Sequence, residues 1–130
     1  MKIKNIFDIA GRAMAAQMVR LNTISSNLAN AGATTGDPET VYKPLKPEFK
    51  TQYSENVKKN GISTVNVSKV VELQKEPFKI FDPNHPWADG DGYIYKAPIN
   101  VEEEMVDMMD ASRQYQNNIE TISNQFQNNT

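Results

Sequence analysis

At 130 residues the chain has room for one modest domain or two thin ones, and only 38% of it is apolar, below the usual ~45–50% even with its six glycines added. A net charge of -2 is too small for a nucleic-acid or membrane-surface binder. The absence of cysteine excludes disulfide scaffolds, thiolate metal sites and cysteine nucleophiles, and a single histidine excludes multi-histidine metal centres.

The N-terminal third reads as a helix. Phe7, Ala10, Met14, Gln17, Leu21, Ile24, Leu28 and Ala31 alternate spacings of three and four, the seam pattern of a coiled coil. No proline occurs before Pro38, and Ala and Met fill the flanks. The spacing predicts a helix over residues 7–31, ~37 Å long, with Gly32 as its stop.

All seven prolines fall between Pro38 and Pro98, which excludes long helices from the middle. The β-branched stretch at 62–71, with Val65 and Val67 alternating, and the pairs Phe78/Ile80 and Tyr93/Tyr95 predict a few short strands. Asn60-Gly61 and Asp89-Gly90-Asp91-Gly92 are turn signals.

The C-terminal quarter repeats the helical pattern with Val101, Met105, Met108, Ser112, Tyr115, Ile119, Ile122 and Phe126. Asn100 is placed to cap this helix, with Glu103 three residues on. Glu102, Glu103 and Glu104 suit the positive end of the helix dipole, so a solvated first turn accounts for them without acid–base chemistry. Val106 and Met109 lie beside the seam and widen the apolar face, which points to more than one partner helix.

The predicted fold is α+β. Long N- and C-terminal helices pair as an antiparallel coiled-coil-like layer, with a small β-rich module between them, divided as residues 1–32, 33–98 and 99–130. Charge supports the pairing. Residues 1–30 carry Lys2, Lys4, Arg12 and Arg20 against Asp8, a balance of +3, while 99–130 carry Arg113 against six acids, a balance of -5. In the antiparallel arrangement Arg20 nears the acidic start of the second helix, and Lys2 and Lys4 near Glu120.

Candidate chemistry is sparse. His85, among Asp82, Asp89 and Asp91, has no second histidine or cysteine to join it, so a turn-capping ring is the simpler reading. Counted from Asp82, the loop has Trp87 where an EF-hand needs glycine and Tyr93 where it needs glutamate. Phosphate loops and nucleophile elbows are absent, and Lys58-Lys59 is too small a basic patch for nucleic acid. Asp8, Arg12 and Gln17 interrupt what would be the apolar core of a signal peptide, so no cleaved signal is expected. The stretch 21–31 is unusual: its Ser and Asn residues are indifferent helix formers, and they serve either a close polar interface or a fraying helix end.

Those residues carry a resemblance. Ser26-Asn27-Leu28-Ala29-Asn30-Ala31, followed by Thr35-Gly36 and Tyr42-Lys43, resembles the signature of bacterial flagellar rod and hook proteins. Phe81-Asp82-Pro83-Asn84-His85-Pro86-Trp87-Ala88-Asp89, Gly92-Tyr93 and Pro98-Ile99-Asn100-Val101 narrow it to the proximal rod branch. So do Glu104-Met105-Val106-Asp107-Met108-Met109 and Ala111-Ser112-Arg113-Gln114-Tyr115-Gln116. The chain departs from the family in its Asn/Gln-rich end, where members carry an apolar segment and a leucine- and threonine-containing tail.

The resemblance implies a structural subunit of the basal body and no enzyme, with no catalytic residues, cofactor or metal. Its helices would pack into the wall of a hollow tube that crosses the periplasm, transmits torque and leaves an export channel. Implied partners are other copies of the chain, neighbouring proximal and distal rod proteins, and the flagellar export apparatus that carries it out without a cleaved signal. Nucleic acid and small-molecule substrates are not among them. The expected assembly interface is Met14, Leu21, Ile24, Asn27, Leu28 and Asn30 on the first helix, with Met105, Met108, Tyr115, Ile119 and Ile122 on the second. A competing class is a soluble helical adaptor or export chaperone, whose seams would bind a client.

Overall fold

The fold was established from a computed structural model that describes residues 3–52 and 64–128. Helix α1 spans Ile3–Asn30 and helix α2 spans Val101–Asn128, each 28 residues and so ~42 Å long. α1 starts four residues before the seam's first apolar residue, Phe7, and stops in a turn at Ala31 and Gly32. The Asn30 side chain folds back one turn and donates to the Ser26 carbonyl at 2.8 Å. α2 is capped as expected. The Asn100 carboxamide oxygen accepts from the Glu103 amide at 3.0 Å.

Among its described residues the middle holds five strands in two antiparallel sheets: β1 (Thr34–Thr35), β2 (Leu45–Gln52), β3 (Thr64–Glu72), β4 (Phe78–Phe81) and β5 (Tyr93–Lys96). One sheet has the order β1-β5-β4, and the other pairs β2 with β3 from Leu45 opposite Glu72 to Gln52 opposite Thr64. The expected strands at 78/80 and 93/95 are β4 and β5, with Ile80 opposite Ile94. β3 takes up the expected β-branched stretch, while Ile62 and the Asn60-Gly61 turn lie outside the described residues. β2 was not anticipated, because Pro47 argues against a strand; a two-stranded sheet tolerates it, since β2 can turn the missing donor to its free edge.

The two helices pack antiparallel. Arg20 reaches Asp110 at 3.0 Å and Asp107 at 3.7 Å, and Asn27 reaches Glu104 at 3.4 Å, so position rises on one helix as it falls on the other. This confirms the expected approach of Arg20 to the acidic start of α2. The same register sets Glu120 opposite Gly11, about two helical turns from Lys4, and no Lys4–Glu120 ion pair forms among the described residues. Lys2 lies outside the described residues.

The face that α2 turns inward also differs from the expected seam. Glu104, Met108, Ala111, Tyr115, Asn118 and Ile122 are buried or half-buried, whereas Val101, Met105, Ile119 and Phe126 are exposed. Ala111, with no exposed surface, permits close approach of the backbones, and Arg20 and Asn27 draw acidic partners inward. Polar matching therefore rotates α2 away from its most apolar stripe. The expected α1 seam holds, with Ala10, Ile24 and Ala31 buried and Phe7, Met14, Gln17, Leu21 and Leu28 half-buried.

The module's core is small. Ala31, Val41, Ala97 and Ile99 form one buried cluster flanked by Tyr42 and Tyr95, where the end of α1 meets the strand leading into α2. No large side chain is completely enclosed among the described residues. Such a core leaves the two helices dependent on each other for much of their stability.

Candidate assembly interface

The signature Ser26–Ala31 folds into a polar joint at the end of α1. Asn27 is only 2% exposed, yet all four of its hydrogen-bonding capacities are met. Its oxygen accepts from the Leu45 amide at 2.8 Å and the Tyr42 hydroxyl at 2.9 Å. Its nitrogen donates to the Leu45 carbonyl at 3.0 Å and to Glu104 Oε2 at 3.4 Å. Tyr42 spends its only proton on Asn27, so the Ser26 hydroxyl, 2.8 Å away, donates to Tyr42. One side chain thus ties α1 to the start of β2, to the segment before it and to α2. Of the two sequence readings of this stretch, the close polar interface is the one observed, within the chain itself.

Glu104 therefore departs from the solvated first turn expected for it. It is half-buried, and burial pushes its carboxyl above the ordinary value, reinforced by Asp107 and partly offset by the Asn27 bond. Its neighbours Glu102 and Glu103 are exposed, as expected of a first turn facing water.

A second joint holds the proline-rich loop. A Cβ at Gly36 would overlap the Trp87 carbonyl oxygen, so only glycine admits the loop backbone at that spot. Within the loop, Asp89 Oδ1 accepts from the amides of Asp91 and Tyr93 at 2.9 Å each, and its Oδ2 accepts from the Tyr95 hydroxyl at 3.0 Å. The Tyr93 amide leads the causes that hold the Asp89 carboxyl below its ordinary value, and Asp89 in turn raises the Tyr95 phenol. His85 caps the turn: its Nδ1 accepts from the Trp87 amide at 3.0 Å. Gly92 is the left-handed residue here, φ +87°, packed against Phe81 and Pro83. Among the described residues no group of three His, Cys, Asp or Glu side chains is placed to hold a metal.

The expected interface residues divide into two sets. Ile24 and Asn27 are buried, and Met14, Leu21, Leu28, Asn30, Met108, Tyr115 and Ile122 are half-buried. Met105, 54% exposed, and Ile119, 43% exposed, face outward with Val106, Met109 and Phe126. The sequence singled out Asn27 but not the depth of its role. Tyr42 stood in the signature without an evident partner, and nothing in the spacing marked Ala111 as the fully buried residue of α2.

Two family models match the chain. Residues 7–36 match the flagella basal body rod protein family, and residues 91–129 match the C-terminal region of flagellar basal body rod FlgEFG proteins. The flagellar basal-body rod protein FlgC of Salmonella typhimurium LT2 is 41% identical, over 95% of this chain and 90% of the relative. The chain belongs to the FlgC family of flagellar basal-body rod proteins. Its counterparts in Escherichia coli O157:H7 and Aquifex aeolicus VF5 are each 39% identical over 95% of the chain and 90% and 89% of theirs. Both joints fall on the family's matched segments or beside them: Asn27 and Gly36 lie in the first, and Gly92, Tyr93 and Glu104 lie in the second. No helix among the described residues is long and apolar enough to cross a membrane.

Proposed function

We propose that the chain is a structural subunit of the flagellar basal-body rod that polymerises through its terminal helices. The carrying observation is the α1–α2 pair itself, which leaves Met105, Val106, Met109, Ile119 and Phe126 exposed on a family member of the rod. An apolar stripe of that length in water calls for cover by neighbouring subunits. In this reading residues 1–32 and 99–130 are the assembly segments and 33–98 a module between them. Met14, Leu21, Ile24, Asn27, Leu28, Asn30, Met108, Tyr115 and Ile122 shape the helix pair, and Met105 and Ile119 meet other subunits.

The partners are further copies and the neighbouring proximal and distal rod proteins, in a tube across the periplasm that transmits torque around an export channel. The chain reaches it through the flagellar export apparatus without a cleaved signal. It performs no catalysis, and the ring of His85 serves the fold of its loop. Complementation tests the reading: a strain that lacks its own copy, and with it rods and swimming, should regain both with the wild-type chain and not with Ile119→Asp. Rods and swimming at wild-type levels with Ile119→Asp would remove the helix stripe as an interface.

A further inference from the structure

We infer that the exposed stripe of α2 docks on the exposed face of α1 of a second copy, a contact between two different surfaces that leaves each bound copy with one face free. This rests on the rod reading above and adds to it which faces meet. On α2 the outward side chains are bulky and apolar: Met105, Val106, Met109, Ile119 and Phe126, three of them 64–65% exposed. A shallow groove of about 390 Å³ lined by Met108, Met109, Ser112, Arg113 and Gln116 interrupts the stripe. On α1 the exposed line at alternating spacings of three and four is Gly11, Ala15, Met18, Asn22, Ser25 and Ala29, low except at Met18.

Shape and charge both select the mixed contact. Ridges of large side chains seat in a trough of small ones, whereas α2 on α2 would set bulk against bulk and α1 on α1 would bury little apolar surface. The exposed charges on α2, Glu102, Glu103, Asp107 and Glu120 against Arg113, sum to -3, and those on α1, Lys4 and Arg12 against Asp8, sum to +1. Two α2 faces would repel, and a mixed pair attracts. A contact between unlike surfaces does not close on itself in pairs and so propagates from copy to copy.

The chain contains no cysteine, so introduced thiols report only on their own positions. Chains carrying Ala15→Cys and Met109→Cys are expressed together in a strain without its own copy, and isolated basal bodies are treated with a short bis-maleimide. A product of twice the chain mass is expected from the mixture, and none from either variant alone. Ser25→Cys with Met105→Cys is a second pair, in case a first variant is not incorporated. A cross-link between two copies of one variant, or none in basal bodies that hold both, overturns the inference. Absence of the wild-type chain from basal bodies of the same strain expressing it as the sole copy would overturn the rod reading instead.

Discussion

Asn27 pairs with Leu45 as one strand residue pairs with another, accepting from its amide at 2.8 Å and donating to its carbonyl at 3.0 Å. A helix side chain has taken the place of a backbone partner at the first residue of β2. The β2–β3 sheet is thereby fixed to α1, and through Glu104 the same carboxamide touches α2.

Asn27→Ala should lower folding stability by about 2–4 kcal/mol, because it strands the buried Leu45 amide and carbonyl together. Asn27→Asp should be nearly as damaging, since it replaces the donor and sets a second carboxylate against Glu104. Urea denaturation of the full chain measures both. A loss under 0.5 kcal/mol, within the range of ordinary surface substitutions at roughly ±0.5 kcal/mol, would mean that the joint is not structural.

Glu104 and Asp89 should bend the pH dependence of stability in opposite directions. Glu104 has its carboxyl raised above 4.5 in the fold, so its contribution is full below that pH and is lost as pH rises through the folded value. Asp89 has its carboxyl lowered from 3.8, so its contribution is present above that pH and is lost as pH falls through the folded value. Glu104→Gln should flatten the slope just above pH 4.5, and Asp89→Asn the slope below 3.8. Denaturation midpoints from pH 3 to 7 check both, and an unchanged slope in Glu104→Gln would show that its carboxyl is not perturbed.

Gly36→Ala should cost about 1–3 kcal/mol by forcing the Trp87 carbonyl out of contact. The effect should be local. Heteronuclear NMR should show shifts confined to residues near 36 and 82–92, with the α1–α2 amides unmoved; shifts spread along both helices would mean that the loop also sets the helix pair.

Leu28→Asp and Ile119→Asp should separate folding from assembly. Leu28 is half-buried, so a carboxylate there should destabilise the chain by several kcal/mol and abolish rods as well. Ile119 is 43% exposed, so its substitution should leave the thermal midpoint within a few degrees and still abolish rods. His85→Ala removes one turn bond and should leave assembly intact. Melting curves beside electron microscopy of basal bodies decide it, and equal melting losses for Leu28→Asp and Ile119→Asp would contradict the assigned faces.

In the free chain, amides of the outer half of α2 should exchange faster than those of Tyr93–Lys96. The strand holds the buried Ile94 and leads into the buried Ala97 and Ile99, whereas α2 beyond Ile122 shows only Gln125 half-buried among its described side chains. Hydrogen exchange on the soluble monomer reports the order directly. Strong protection across 112–126 at monomeric concentration would show that α2 needs no neighbour.

The sequence by itself determined both helices, the Asn100 cap, the antiparallel direction and the meeting of Arg20 with the acids of α2. Each follows from local spacing, capping chemistry or net charge, quantities that a chain carries before it folds. Tertiary structure decided which face of α2 turns inward. Heptad spacing marks the apolar stripe from Met105 to Phe126, but Arg20 pairs with Asp110, Asn27 donates to Glu104 and the small Ala111 is fully buried, so polar matching overrode apolar content. β2 and the Asn27–Leu45 pair were equally beyond reach of local patterns. Pro47 hides the strand, and a side chain that imitates a strand partner declares itself only when residues 18 positions apart come together.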